Sequence, residues 1–94
     1  MQNLKKILQQ ENVSLIDVRH PWEFDEGHIN GAINIPLDQV PARVNDFKKL
    51  NGPAILYCRS GSRSAMAVNM LRQAGISHIY NGGGLYDMQL LTLN

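Results

Sequence analysis

The chain has 94 residues and a formal net charge of +1, with its basic residues scattered rather than gathered in a tract. A surface for nucleic acid or an acidic membrane is therefore not expected. Apolar residues make up 44%, which argues against disorder and fits one compact domain over residues 1–94.

From the N-terminus, Leu4, Ile7 and Leu8 stand at helical spacing. Ser14 to Val18 is a short apolar run with β-branched residues and reads as a strand. Pro21 suits the first turn of a helix, Glu23, Asp25 and Glu26 favour its positive end, and Gly27 stops it. Ala32 to Pro36 reads as a second strand. Val40, Val44 and Phe47 recur at i, i+4 and i+7 behind Pro41, which predicts an amphipathic helix ending before Asn51-Gly52-Pro53. Ala54 to Cys58, AILYC, is the most strand-like run and is expected at the centre of the sheet. A helix starts at Ser62 or Arg63, with Ala67, Met70, Leu71 and Ala74 on one face and Gly75 as its cap. His78 to Asn81 is a last strand, Gly82 to Gly84 a flexible turn, and LYDMQLL a closing helix. Strands alternating with helices through short connections predict an α/β protein with a mainly parallel sheet covered on both faces.

The single cysteine, Cys58, forbids an internal disulfide and fits a reducing compartment. The opening MQNLKKILQQENV lacks the apolar run and cleavage site of a signal peptide, and no stretch is long enough to span a bilayer. A cytoplasmic protein is expected.

Cys58 stands where ligands bind in parallel sheets, at the carboxyl end of a strand and just before a helix N-terminus. A free thiol, with a pKa of about 8.5, is only about 3% thiolate at neutral pH. Unpaired N–H groups and the charges of Arg59 and Arg63 would raise that fraction. The loop Arg59-Ser60-Gly61-Ser62-Arg63 reads as an anion cradle. Its N–H groups can turn inward as a nest, Gly61 allows φ > 0, Ser60 and Ser62 offer hydroxyls, and Arg63 can fork onto an anion or brace the loop. The alternative is a buried structural cysteine with serine helix caps. That reading leaves two arginines at a helix N-terminus, where cations are disfavoured, without a reason.

LIDVRHPWEFDEGHINGAINIP resembles the N-terminal signature of the rhodanese family of sulfurtransferases, and CRSGSRSAMA resembles its active-site loop and following helix. NGGGL falls in place behind them, so the resemblance runs from about Leu4 to Leu90. It implies a three-layer α/β/α rhodanese-like domain. It also implies that Cys58 is a nucleophile that takes sulfane sulfur from a small anionic donor such as thiosulfate, holds it as a persulfide, and passes it to cyanide or a thiol. The donors of Arg59 to Arg63 would stabilise the persulfide, with Arg59 or Arg63 attracting the donor. Asp17 and Arg19, matching the Asp-x-Arg of the first block, would support the site by ion pairing, and His28 would pack. No cofactor is implied. The family often carries a tryptophan after the glycine turn; here Leu85-Tyr86-Asp87-Met88 follows, which leaves the seat of the last helix open.

Phosphatases and arsenate reductases of the same fold place five residues between cysteine and arginine. Four separate Cys58 from Arg63, and the tighter ring suits one added sulfur better than a tetrahedral phosphate. A persulfide carrier serving a partner protein, or a non-catalytic binding module, stays open, although a binding module would not need the complete loop. His20, His28 and His78 lie in separate segments without metal-ligand spacing, so no metal is expected. The glycine triplet lacks the lysine and hydroxyl of a phosphate loop. Trp22 is expected in the core or at the rim.

Overall fold

The computed structural model describes residues 3–93. The elements in chain order are α1 (Leu4–Leu8), β1 (Ser14–Asp17), α2 (Pro21–Glu26), β2 (Ile33–Asn34), α3 (Val44–Lys48), β3 (Ala54–Cys58), α4 (Ser62–Gln73), β4 (Ile79–Gly84) and α5 (Leu85–Leu91). The four strands form one all-parallel sheet in the order β2-β1-β3-β4. Among the described residues, no helix is long and apolar enough to cross a membrane.

Every residue of β3 is buried, as a central strand requires when helices cover both faces. The period of two divides it. Ala54, Leu56 and Cys58 join Phe47, Ala67, Val68 and Leu71 in the layer of α3 and α4. Ile55 and Tyr57 face the other way, towards Ile7, Ile29 and Met88 in the layer of α1 and α5. Cys58 is thus the last residue of a buried row, on the α4 side of the sheet.

Three expectations need correction. Val40 to Phe47 is not one helix: two 3₁₀ turns, Leu37–Gln39 and Pro41–Arg43, precede a short α3. Pro41 has no N–H to extend a helix, yet Val40 and Phe47 still reach the core. The second strand shrinks to Ile33–Asn34, an edge segment paired only with β1. The glycine triplet is not a flexible turn. It is the end of β4, paired with β3 through a bulge that leaves Gly82 without a partner. Glycine is needed here for close approach: a Cβ on Gly82 would lie 2.8 Å from Ile55 Cγ2, and one on Gly84 would collide with the Arg59 carbonyl.

The seat of the last helix, open at the level of sequence, is filled by Met88. It is completely buried against Ile55 and Tyr57, beneath Gly82. The unbranched thioether of Met88 takes the space that a Cβ on Gly82 would need.

Candidate active site

β3 delivers Cys58 to the carboxyl edge of the sheet, and the chain turns at once into α4. Gly61 makes the turn at φ +99°, and a Cβ there would stand 3.3 Å from Gly83 Cα. The loop is therefore wedged against the bulge of β4 on one side. Its Gly61 N–H donates to Cys58 Sγ at 3.0 Å. The cysteine itself is fully buried.

Burial pushes the Cys58 thiol up, and it is the largest single influence. The Ser64 hydroxyl and the backbone N–H groups of Ser64, Ser60 and Gly61 act in the opposite direction, and together they bring the thiol below its ordinary value. The anion is thus favoured chiefly by hydrogen bonds. Arg59 and Arg63 are not among the leading influences on the thiol, and Arg63 is already paired. Its guanidinium forks onto Glu23, with Nη1 to Oε1 at 2.7 Å and Nη2 to Oε2 at 3.1 Å. Glu23 also accepts from the His20 N–H at 3.1 Å, closing the first turn of α2. The Arg63 guanidinium, then burial, then the His20 N–H set the Glu23 carboxyl, with a net lowering to about 2.

The remaining candidates fall into place around this loop. Arg59 is exposed and lines a groove with Trp22, Glu26, His28, Leu85 and Gln89. Ser60 and Ser62 are exposed, and their hydroxyls face each other at 3.5 Å instead of facing the sulfur. Asp17 and Arg19 are buried and pair with each other: Arg19 Nη2 reaches Asp17 Oδ2 at 2.7 Å and also donates to the Gly27 carbonyl at 2.7 Å. The hydrogen bond that Arg19 donates to Asp17 is the main reason that its guanidinium is raised. The pair ties the end of β1 to the end of α2, and so aims Glu23 at Arg63. His28 stacks on Phe24 with ring centroids 3.6 Å apart and reaches the Phe24 carbonyl through Nδ1 at 2.8 Å. Trp22 lies at the rim, 59% exposed.

Three further residues of this site, Glu23, Ser64 and Asn81, lie inside the blocks that carry the resemblance but are not marked there as site residues. Glu23 stands 40 residues before Arg63, and only the folded chain brings the two together. Ser64 follows the loop and is fully buried, with Oγ 3.5 Å from Sγ; its place on the inner face of the first helical turn was the available signal. Asn81 reaches the loop from β4; its place directly before the glycine triplet was the available signal.

Residues 1–87 match the family model of the rhodanese-like domain. The thiosulfate sulfurtransferase PspE of Escherichia coli (strain K12) is 38% identical over 76 residues, which cover 80% of this chain and 73% of that protein. The putative sulfur carrier protein YrkF of Bacillus subtilis (strain 168) is 32% identical over 77 residues, covering 82% of this chain and 41% of that protein. A solved structure described as a rhodanese with anions from E. coli superposes with a TM-score of 0.73 at 38% identity, over 80% of this chain and 89% of that one.

Proposed function

Because the chain belongs to the rhodanese family, we propose that it is a thiosulfate-type sulfurtransferase working through a persulfide on Cys58. The observation that carries this reading is the seat of Cys58 Sγ, under a loop whose Gly61 N–H donates to it at 3.0 Å. A sulfur anion is favoured there, and the ring closes after four residues.

The thiolate attacks the sulfane sulfur of thiosulfate. An S–S bond forms to Cys58, the old S–S bond breaks, and its electron pair leaves with sulfite. The bound persulfide then gives its outer sulfur to cyanide, forming thiocyanate, or to a thiol, forming a new persulfide, and the Cys58 thiolate returns. The loop from Arg59 to Arg63 surrounds the added sulfur. Arg59, exposed at the groove, draws in the anionic donor. Arg63, committed to Glu23, braces the loop instead of holding donor. Asp17 and Arg19 hold the neighbouring segment. Cys58 has no exposed surface, so donor access requires the loop around it to open.

Transfer to a partner protein is a second reading, favoured by the similarity to a putative sulfur carrier. Intact mass after incubation with thiosulfate tests the first step. A gain of one sulfur on the wild type, removed by cyanide and absent from Cys58→Ser, is the expected result. A folded, reduced wild type that gains nothing from thiosulfate overturns thiosulfate as donor. A sulfur that leaves only to a protein acceptor selects the carrier reading.

A further inference from the structure

The Ser64 hydroxyl has more acceptors than protons. Its Oγ lies 2.7 Å from Asn81 Oδ1, 3.1 Å from the Gly61 carbonyl and 3.5 Å from Cys58 Sγ, and a hydroxyl donates once. The Gly61 carbonyl is otherwise supplied, by Ala65 N–H at 3.0 Å and Asn81 Nδ2 at 3.2 Å. The live competition is between Asn81 Oδ1 and the sulfur.

Resting on the reading of Cys58 as a nucleophile that works as an anion, we infer that Asn81 is a positioning residue that competes with Cys58 for the Ser64 proton. In the thiol, Sγ–H donates to Ser64 Oγ and Ser64 donates to Asn81 Oδ1. When the sulfur loses its proton, the Ser64 hydroxyl turns to it. Only a hydrogen moves, and the anion is the stronger acceptor. Asn81 Oδ1 is not orphaned by the change, because Gly83 N–H donates to it at 2.9 Å. Asn81 cannot swing away either, since its Nδ2 is held by the Gly61 carbonyl.

The competition has a use. A thiolate made too stable is a weaker nucleophile, and the best attacking thiol titrates near ambient pH. By holding the hydroxyl while the sulfur is protonated, Asn81 offsets part of the stabilisation that Ser64 gives the anion. The charges on the surrounding elements do not offer this adjustment. Asp17 of β1 is paired with Arg19, Arg63 of α4 with Glu23 of α2, and Asp87 of α5 accepts from the Gly84 N–H. Arg59 is exposed, and β4 carries no charged residue.

The test is the pH dependence of Cys58 alkylation by iodoacetamide on the full chain. Ser64→Ala is expected to raise the midpoint by about one pH unit, or tenfold less thiolate below it, and Ser64→Thr to restore it. Asn81→Ala is expected to lower the midpoint, and to have no effect when combined with Ser64→Ala. Opposite signs separate competition from simple damage, which would move both variants towards a free cysteine. An unmoved midpoint in Ser64→Ala, or a raised one in Asn81→Ala, overturns the inference. If either variant does not fold, the wild-type Gly83 amide proton decides. It should shift downfield through the thiol midpoint as the hydroxyl leaves Asn81, and a flat trace overturns the inference. No sulfur donor enters these measurements, so their outcome is independent of whether thiosulfate forms a persulfide on Cys58.

Discussion

Replacing Arg63 by methionine keeps the apolar stem of the side chain and removes the fork onto Glu23. The carboxylate left behind has only 7% of its side chain exposed and keeps only the His20 N–H. In the wild type the Glu23 carboxyl stands at about 2 against an ordinary 4.5. At about 1.4 kcal/mol per unit this corresponds to about 3 kcal/mol, of which Arg63 is the first cause. Arg63 is 28% exposed, so solvent screens part of the interaction, and about 2 kcal/mol is the expected loss in Arg63→Met at pH 7. For a chain of this size that lowers Tm by roughly 10 °C. Glu23 has a folded pKa below its unfolded one. Its contribution is complete above about pH 4.5 and is lost as the pH falls through about 2. The gap between wild type and variant should therefore be widest near neutrality and should close in acid. Urea unfolding followed by far-ultraviolet circular dichroism measures it, since Trp22 is too exposed to report well. A gap below about 0.5 kcal/mol at pH 7, or one that stays constant down to pH 3, would refute the bracing role of this pair.

Gly84→Ala drives a Cβ into the Arg59 carbonyl and within 3.3 Å of Ser60 Cα, so the loop itself must move. A loss of about 2 kcal/mol in thermal unfolding, with the Cys58 alkylation midpoint shifted towards a free cysteine, is expected. A variant with native stability would show that the loop tolerates the displacement. Arg59→Ala removes an exposed cation from the groove beside the loop. Its kcat/KM for thiosulfate should fall about tenfold while stability stays within about 0.5 kcal/mol of wild type. Equal thiosulfate kinetics would remove Arg59 from donor capture.

The layout of the molecule and the place of its thiol were legible along the chain. AILYC is apolar at every position, which only a strand covered on both faces needs, and β3 proved to be that strand. The helix after it starts at Ser62, one of the two starts that the loop pattern predicts, so Cys58 had to sit between a strand end and a helix start. These are local facts, carried by periodicity and by the residues that break it. Which groups meet that thiol was settled by packing. Arg63 reads in the chain as a fork onto an anion or a brace for the loop, and the folded structure decides for the brace by setting Glu23 of α2 against it. The glycine triplet reads as a turn because glycine is flexible, and becomes a strand because it pairs with β3, where Met88, Ile55 and the Arg59 carbonyl leave no room for a side chain. Ser64 and Asn81 are ordinary polar residues until the pairing of β4 with β3 sets them within 2.7 Å of each other. Hydrogen bonds and ion pairs act over a few ångströms, and residues 17 and 40 apart in the chain come that close only after the sheet has formed.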